Sequence, residues 1–475
     1  MSDKKQYIIF FFFLTISFAM RLFSFFPSIL DHDESTYLII GRDILNGKLL
    51  YTDVTDTKPV GIFLFYAGLE FLFGSSIFLK RMVFSLVVGA TAFLIFRASK
   101  KLFNQNKVAF ASGLIYIIYT SIWTYHGRSP NTELLFNLCT ISALLFFLTK
   151  DIRSYFVGGL LMGIGFIIKY LVLFDLAAFL LFFFILEITN LKSKPFWLIL
   201  WKYIVASFAF LLPFGLVNLY FWLGVNFQNF YFITYELTGN YGNSPSFIRY
   251  FTMLLDFIAK FLPISFIVFY VIFKRIKPME KSIKWFFAVW LFFVLFAIYI
   301  PGKEFSHYTI QLMLPLSLLA GVFFHSEFKT DRITSAIYSK KIGLGLMIII
   351  LLAIQIVSFN NEVNSPDYPN EVAIYLEDKL EKDDKVFVSN YEQIIYYLLS
   401  IESPTKFVHS NLLFTETHKA FNINAADEVK RIIDTKPKFI LIQRQNLLVA
   451  KLIKRNYQLI KKFKNGEVLI YQLKS

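Results

Sequence analysis

Long apolar runs recur along the first three quarters of the chain and predict membrane-spanning helices. Most of the runs hold about 17 to 25 residues, enough for a helix to cross a hydrocarbon core of about 30 Å. Eleven spans are predicted, at residues 7–26, 77–96, 108–125, 134–149, 155–168, 172–188, 197–225, 250–273, 285–300, 309–324 and 342–359. No small-x-small cleavage site follows the first run, so we expect an uncleaved span there rather than a signal peptide. The pattern therefore predicts a polytopic α-helical membrane protein.

A shorter apolar run at residues 61–74 is interrupted by Glu70, and its length alone does not decide whether it crosses the membrane. The basic loops decide, because short cytoplasmic loops carry an excess of Lys and Arg. If the run does not cross, every basic cluster falls on the side of the N-terminus, whereas a crossing would place the basic loop 274–284 outside. The sequence therefore predicts a cytoplasmic N-terminus and an interfacial helix at 61–74 on the outer leaflet. The outer loops are then residues 27–59, 126–132, 169–171, 226–249 and 301–308.

Residues 360–475, which we call the tail, differ in character from the apolar part of the chain. Helix-like stretches at 370–380, 392–399, 425–433 and 447–455 alternate with strand-like runs at 385–388, 405–408, 439–443 and 468–473. We therefore expect a transmembrane domain at 1–359 and a small extracytoplasmic α/β domain at 360–475. No glycine-rich phosphate loop opens any helix of the tail, so the sequence does not support a nucleotide site.

Composition and charge agree with a membrane protein. The chain of 475 residues is 56% hydrophobic and only 17% charged, with a mean hydropathy of +0.56, which excludes an ordinary soluble globular protein. The net charge is +15, of which residues 361–475, with 17 Lys+Arg and 15 Asp+Glu, contribute +2. The rest lies in the membrane part, where positive charge is an orientation signal, so no nucleic-acid partner is predicted. The single cysteine, Cys139, excludes an intrachain disulfide and a thiolate metal cluster.

The first outer loop contains the largest group of candidate functional residues. Asp33 and Glu34 are adjacent, and Tyr37 follows four residues after Asp33, which puts Asp33 and Tyr37 on one helix face. Lys58 and Pro59 end the loop where the interfacial helix begins. A carboxylate here can take a proton from an acceptor hydroxyl or hold a divalent cation, and a lysine can neutralise a lipid phosphate. A solvated polar loop without a catalytic role is the alternative.

Three other outer loops carry polar groups beside the spans. Asn131 and Glu133 lie at the outer end of two spans, where an exposed turn is the alternative because a helix N-terminus favours Glu133 electrostatically. Lys169 ends a short span, a position from which lysines snorkel to the interface. Lys303 and His307 lie in a tight loop, where a lone histidine is more often structural than catalytic.

Together these residues resemble the GT-C class of membrane glycosyltransferases. Within this class the chain looks like the bacterial relatives of protein O-mannosyltransferases and of lipid A aminoarabinose transferases, and is thus similar to glycosyltransferase family 39. The resemblance covers most of residues 1–325 and runs through Asp33-Glu34 with Tyr37, Gly47 with Tyr51 and Asp53, Asp56-x-Lys58-Pro59, Asn131-Thr132-Glu133, Lys169, and His307-Tyr308 followed by Pro315 and Gly321. Val60 stands where relatives often have a second proline, and Thr36 and Thr57 stand where the aminoarabinose branch has arginine and glutamate. These departures argue against aminoarabinose specificity and leave the donor sugar open.

The resemblance implies an enzyme that moves a sugar, with inversion, from a polyprenyl-phosphate donor to an acceptor glycan, lipid or protein. The reaction would take place on the outer face of the inner (plasma) membrane, in contact with membrane lipids. The implied catalytic residues are Asp33 and Glu34, the implied donor-phosphate ligands are Lys58, Lys169, Lys303 and His307, and the implied substrate contacts are Tyr37, Tyr51, Asn131 and Glu133. Asp53 and Asp56 would hold Mg²⁺ or Mn²⁺ if the enzyme uses a divalent cation. The tail shows no matching feature, and its role is left unassigned.

Two alternatives to an enzyme stay open on the residues alone. A transporter or lipid flippase would also have many spans and polar groups near one face, but inverted repeats or spans broken by Gly and Pro would favour it, and neither is clear in the sequence. The other alternative is a structural or assembly protein that presents its tail outside the membrane.

Overall fold

The computed structural model describes residues 3–189, 195–224, 226–237, 247–273, 279–299, 305–325, 340–415, 417–443 and 446–474. These residues are predominantly α-helical and form one four-stranded sheet in the tail. It divides into two compact units, which we call the bundle unit (Met1–Phe25, Phe78–Leu219 and Asn243–Val363) and the sheet unit (Phe26–Ile77, Tyr220–Gly242 and Asn364–Ser475). The sheet unit thus combines the tail with the first polar loop and the short apolar run. The domain boundary at residues 359 and 360 stays a prediction.

Apolar helices make up most of the bundle unit. Two helical segments of residues 77–362, Phe227–Tyr231 and Phe232–Glu236, lie in the sheet unit. The other described helices of residues 3–25 and 77–362 are Asp3–Arg21, Ile77–Phe103, Asn106–Thr120, Thr132–Phe147, Ile152–Ile168, Val172–Ile188, Phe196–Leu223, Phe247–Lys260, Leu262–Phe273, Lys281–Tyr299, Met313–Gly321 and Lys340–Glu362, with 3-10 segments at Leu22–Phe25, Thr124–His126, Ser306–Leu312 and Val322–Phe324. By length and composition, six helices of the described residues can cross a membrane, or seven if Ile248–Lys260 and Leu262–Phe273, bent by 97°, form one span. The predicted helical multi-pass fold is confirmed, while the count of eleven spans stays a prediction.

Two glycines four residues apart bring two helices of the bundle unit into close contact. A Cβ atom at Gly159 would clash with the backbone carbonyl of Ala206, and one at Gly163 would clash with that of Phe210. Small residues at this spacing let membrane helices approach closely, so that van der Waals packing holds them together. This packing anchors the helix whose C-terminal cap is Lys169.

The short apolar run forms the predicted helix, which spans Val60–Phe73. Pro59 precedes its first turn, where a proline removes no intrahelical hydrogen bond. Gly74 ends the helix with φ of 55° and donates its N–H to the carbonyl of Glu70 at 2.8 Å. The two punctuating residues in the sequence therefore determine both ends of this helix.

The helix Val60–Phe73 has one packed face and one open apolar face. On the packed face it meets helix His32–Leu45, where the absence of a side chain at Gly41 lets the backbone of Tyr66 approach. On the open face, residues such as Phe71 are up to 79% exposed. An open apolar face is what a helix at a membrane interface presents to lipid.

The tail has a mixed sheet at its centre. Strand β1 (Val386–Val388) pairs parallel with β2 (Phe439–Gln443), and β4 (Val468–Leu473) pairs antiparallel with both β2 and β3 (Tyr457–Phe463). Apolar side chains of β2 and β1 pack with those of the tail's later helices into one hydrophobic core. The helices and helical turns of the sheet unit are His32–Leu45, Val60–Phe73, Phe227–Tyr231, Phe232–Glu236, Tyr368–Glu377, Ile394–Leu398, Asn411–Phe414, Thr417–Ala420, Ala425–Asp434, Leu447–Ile453 and Lys464–Gly466.

One predicted strand is wrong and one strand was missed. The run 405–408 lies outside the sheet, and its Phe407 makes an isolated parallel bridge with Thr55. The local alternation of apolar residues predicts an extended segment but cannot tell which partner that segment meets. Strand β3 was missed because Lys461 and Lys462 interrupt its apolar alternation, as charged residues do on edge strands.

Candidate active site

The N-terminus of helix His32–Leu45 places two acidic side chains in one turn. Asp31 caps the helix, and its Oδ1 accepts the backbone N–H of Asp33 at 3.1 Å. Asp33 and Glu34 follow in the first turn, where the helix dipole favours negative charge. Only 8% of Asp33 and 2% of Glu34 is exposed. Carboxylates this buried need a cationic or hydrogen-bonding partner.

Lys58 is the cationic partner of Asp33. Its Nζ lies 2.7 Å from Oδ1 of Asp33 and 3.6 Å from Oδ1 of Asp56. Tyr37, one turn after Asp33, donates its hydroxyl to Oδ2 of Asp33 at 3.4 Å. Burial lowers the pKa of Lys58, but the carboxylates of Asp33 and Asp56 outweigh burial and hold that pKa well above its ordinary value. Lys58 is therefore a permanent cation between two carboxylates.

The loop before Lys58 holds this lysine in position. Tyr51 has a positive φ of 69°, and its hydroxyl donates to the backbone carbonyl of Lys58 at 2.9 Å. The ring of Tyr51 lies 5.7 Å from the ring of Phe221 and 6.1 Å from that of Phe230, measured between centroids. Asp56 accepts the backbone N–H of Lys58 at 3.2 Å. Tyr51 and Asp56, which the resemblance links to substrate and metal, thus also fix the backbone of Lys58.

The tail contributes side chains that sequence reasoning missed. Nε2 of His409 lies 3.7 Å from Oδ1 of Asp33, and the His409 ring stacks on His32 with centroids 5.9 Å apart. Nδ1 of His32 in turn lies 3.1 Å from Oε2 of Glu392. The one signal in the sequence is a titratable residue directly after the strand-like run 405–408, and nothing in the local pattern connects it with Asp33.

Hydrogen bonds attach the tail to helix His32–Leu45 within the sheet unit. The side chain of Gln393 donates to the backbone carbonyl of His32 at 2.8 Å. Arg42 donates to the carbonyls of Tyr396 and Ile401 at 2.8 and 2.9 Å. Because these contacts engage both ends of the helix, the first turn with Asp33 is held against the tail.

The acidic residues of the first loop do not gather into a multidentate metal site. Asp53 accepts the N–H of Leu49 at 2.8 Å, and Asp56 is engaged by Lys58. In the part of the chain that the structure describes, no three Asp, Glu, His or Cys side chains converge to hold a metal ion. This donor set does not fit Mg²⁺ or Mn²⁺, which take several oxygen ligands. Use of a divalent cation stays a prediction.

A second polar cluster lies within the bundle unit. Oε1 of Glu133, in the first turn of helix Thr132–Phe147, is 3.0 Å from Nζ of Lys169. The same Nζ lies 4.1 Å from the ring centre of Tyr308, and His307 packs edge-on against that ring at 4.9 Å. Glu133 is fully buried and Lys169 is 6% exposed, so Lys169 does not snorkel to an interface. Three of the predicted site residues, Glu133, Lys169 and His307, are therefore neighbours.

The predicted site residues fall into two clusters, one in each unit. Asn131 joins the bundle cluster as a turn residue, since its side chain is buried and donates to the carbonyl of His126 at 3.4 Å. Lys303 lies outside the described residues. In the sheet unit, contacts join Asp33, Tyr37, Tyr51, Asp56 and Lys58, and the same unit holds Glu34 and Asp53. The bundle unit holds Asn131, Glu133, Lys169 and His307.

Comparison with known proteins finds one family model that matches part of the chain and solved structures that share its fold. The profile of the dolichyl-phosphate-mannose-protein mannosyltransferase family matches residues 57–215, a stretch that holds Lys58, Glu133 and Lys169. No sequence among the curated proteins matches the chain. The crystal structure of ArnT from Cupriavidus metallidurans bound to undecaprenyl phosphate is similar with a TM-score of 0.66 and 14% identity, over 99% of this chain and 98% of that chain.

Two further solved structures have the same fold. The apo state of the same ArnT gives a TM-score of 0.64 at 13% identity, over 99% of this chain and 98% of that chain. The archaeal oligosaccharyltransferase AglB from Archaeoglobus fulgidus, in complex with an inhibitory peptide and a dolichol-phosphate, gives 0.54 at 10% identity, over 100% of this chain and 75% of that chain. ArnT and AglB are GT-C glycosyltransferases. The predicted resemblance is thus confirmed, and the chain has the fold of the GT-C membrane glycosyltransferases.

Proposed function

We propose that this protein is an integral membrane glycosyltransferase that moves a sugar, with inversion, from a polyprenyl-phosphate donor to an acceptor glycan, lipid or protein. The observation that carries the proposal is the ion pair between the buried Asp33 and the partly buried Lys58, 2.7 Å apart, in a chain with the GT-C fold. ArnT was solved with undecaprenyl phosphate and AglB with a dolichol-phosphate, which supports a lipid phosphate as the leaving group. The charge asymmetry of the loops supports a site on the outer face of the plasma membrane.

The reaction needs one proton acceptor and one cation. An acceptor hydroxyl attacks the anomeric carbon, the bond from that carbon to the phosphate oxygen breaks, and the electron pair leaves with the polyprenyl phosphate. Asp33 takes the proton of the attacking hydroxyl. Lys58 stabilises the negative charge that grows on the phosphate, because a permanent cation acts strongly in a site of low dielectric. A single displacement of this kind inverts the anomeric configuration.

The ion pair also explains how the base is kept ready. Lys58 neutralises Asp33 and Asp56 as long as no phosphate competes for its ammonium group. A donor phosphate at Lys58 draws the cation away from Asp33, and a carboxylate with a weakened counter-charge is a better base. Binding of the donor therefore activates Asp33. The roles of Lys169 and His307 toward the phosphate stay predictions, since Lys169 is paired with Glu133.

Sugar transfer by the purified protein tests the proposal. Protein in lipid nanodiscs is given a panel of polyprenyl-phosphate sugars and a membrane extract as acceptor, and released polyprenyl phosphate is measured by mass spectrometry. We expect turnover with at least one donor. Asp33→Asn keeps the shape of the side chain but not its basicity, so it should lower turnover by about 10²- to 10⁴-fold while donor binding remains.

A second Asp–Lys pair of the sheet unit supplies the matched control. Asp384 lies 2.6 Å from Lys438 on the tail, so Asp384→Asn makes the same chemical change at a similar distance from a lysine. Asp384→Asn should keep normal turnover. Equal turnover in Asp33→Asn and the wild type would remove Asp33 as the base. If no donor is turned over and a labelled polyprenyl phosphate moves across the bilayer, the proposed enzyme is wrong and the protein acts as a flippase.

A further inference from the structure

A histidine of the tail faces the carboxylate that serves as the base in the proposed reaction. Nε2 of His409 lies 3.7 Å from Oδ1 of Asp33, and 8% of the histidine side chain is exposed. Nζ of Lys58 contacts the same oxygen at 2.7 Å, so an ammonium group and an imidazole both face one carboxylate. This arrangement indicates a catalytic use for the tail, a use that rests on the proposed function and extends it.

The backbone next to His409 determines which ring nitrogen carries the proton. The N–H of Asn411, at the start of helix Asn411–Phe414, donates to Nδ1 of His409 at 3.2 Å. A ring nitrogen that accepts a hydrogen bond carries no proton, so the proton of the neutral imidazole is on Nε2. The N–H group of His409 is therefore the one near Asp33, where it can act as a donor to the carboxylate.

The isolated bridge of the mispredicted strand brings His409 and Lys58 to the same place. Thr55 and Phe407 pair in parallel, and the N–H of Thr55 donates to the carbonyl of Lys406 at 2.9 Å. Because the two segments run in the same direction, Lys58 and His409 both follow the bridge by two or three residues. The segment 405–408 thus aligns the tail with the loop that carries the candidate phosphate ligand.

The ring of His409 is held from a second side. It stacks on His32 with an interplanar angle of 27°, and His32 is paired with Glu392. The first two residues of helix His32–Leu45 therefore act on the same contact: His32 stacks on the His409 ring, and Asp33 carries the carboxylate that this ring faces. The orientation of His409 toward Asp33 is built into the packing of the tail on this helix.

We propose that His409 is a positioning residue for Asp33. The Nε2–H of His409 donates to the Asp33 carboxylate and holds that carboxylate in place for proton transfer. The distance of 3.7 Å is longer than a hydrogen bond, and such contacts shorten in catalytic sites when substrate binds. When the donor phosphate draws Lys58 away from Asp33, His409 remains as the partner that orients the base. The tail is then a working part of the reaction site.

The charges around Asp33 determine the sign of the expected pH effect. Among the described residues, the groups around it include Lys58 and Asp56 from the loop, Asp31 and Tyr37 at the start of its own helix, and His409, His32 and Glu392 at the contact with the tail. A donor to the carboxylate favours its charged form. Removing that donor makes Asp33 easier to protonate, so the acidic limb of the pH–rate profile should move to higher pH.

Three substitutions of His409 test this geometry. The amide nitrogen of glutamine lies near the position of Nε2, that of asparagine lies near Nδ1, and leucine has no donor. We expect His409→Leu and His409→Asn to lower kcat by about 10- to 100-fold, the effect of losing a hydrogen bond to a charged group, with the KM for the donor unchanged. His409→Gln should recover most of the loss. The acidic limb should move in His409→Leu and return in His409→Gln.

His418, a histidine of the tail that contacts neither Asp33 nor Lys58 in the described contacts, serves as the control. His418 bonds to the carbonyl of Thr415, so His418→Leu should leave kcat and the pH profile unchanged. If the wild type is active and His409→Leu behaves like His418→Leu, the inference is overturned and the proposed function stands. If all three His409 variants lose activity equally without a pH shift, the role is structural and the inference is again overturned.

A double-mutant cycle keeps the test independent of activity. Melting temperatures of Asp33→Asn, His409→Leu and the double variant show whether the two side chains interact. Coupled shifts support the contact even if no donor is turned over, in which case the proposed function alone has failed. Additive shifts would show that His409 and Asp33 do not interact, whatever reaction the protein catalyses, and would overturn the inference.

Discussion

Lys58→Met should both destabilise the protein and strongly lower its rate of sugar transfer. The substitution removes the cation that lies 2.7 Å from Asp33 and 3.6 Å from Asp56 but keeps an apolar stem. It leaves the carboxylates of Asp33 and Asp56, whose side chains are 12% and 1% exposed, without their shared counter-charge. Buried charges without a partner are costly, so the folded state is destabilised.

The size of both effects follows from the burial of the pair. Removing one partner of a buried ion pair lowers the free energy of unfolding by about 3–5 kcal/mol. Since 17% of the Lys58 side chain is exposed, we expect the lower end, about 3 kcal/mol. A cation 4 Å from a phosphate contributes about 4 kcal/mol at an effective dielectric constant of about 20. The loss of that interaction in the transition state corresponds to roughly 10³-fold in turnover.

Thermal melting in detergent and the nanodisc transfer assay measure the two effects separately. Lys58→Arg keeps the charge but changes its geometry, so it should recover part of the melting temperature and part of the turnover. Lys438→Met is the matched control, because Lys438 forms a more exposed pair with Asp384, and exposed pairs contribute little. Equal loss of transfer in Lys58→Met and Lys438→Met would refute the phosphate site at Lys58.

The raised pKa of Lys58 also predicts how the pair responds to pH. A lysine whose pKa is higher in the folded protein contributes stability that is fully present below its unfolded pKa of about 10.4. The contribution is lost as pH rises through the raised value. The melting temperatures of the wild type and Lys58→Met should therefore converge in strongly alkaline buffer, and a difference that persists there would contradict the ion-pair explanation.

Two further predictions concern topology and the bundle cluster. Reporters fused after Ser76 and after Thr132 should both report the outer side, and one after Met279 the cytoplasm; a cytoplasmic signal at Ser76 would make helix Val60–Phe73 a span. Lys169→Met leaves the fully buried Glu133 without its cationic partner Lys169 and should lower the free energy of unfolding by about 3–5 kcal/mol. Adding Glu133→Gln removes the buried charge, so the double variant should recover most of this stability. A double variant no more stable than Lys169→Met would show that the two side chains are not coupled.

Features that depend on neighbouring residues could be predicted from the sequence. Pro59 and Gly74 bound helix Val60–Phe73 at nearly the predicted residues, because a proline and a glycine with positive φ act on the turn in which they lie. The spacing of Asp33 and Tyr37 predicts a shared helix face, and the structure joins the two by a hydrogen bond. The apolar runs predict a helical membrane protein because any segment of that length and composition needs lipid around it.

The sequence also led to the first loop as the candidate site, but with help from a resemblance. Asp33 and Lys58 are 25 residues apart, and no local period relates them. Their contact depends on the turn around Tyr51, whose positive φ is visible only in the folded loop. The pairing of Glu133 with Lys169 likewise joins the start of one helix to the end of the next, which hydrophobic periodicity does not encode.

Only the tertiary structure decided the place of the tail beside the candidate base. The sequence by itself indicated a strand-like run at residues 405–408, apolar helices in the first part of the chain, and a helix face shared by Asp33 and Tyr37. It did not determine that 405–408 pairs with Thr55 instead of the sheet, nor that His409 meets Asp33. Helix caps and hydrophobic periods act over a few residues, whereas such contacts close loops of hundreds of residues and exist only when the whole unit has packed.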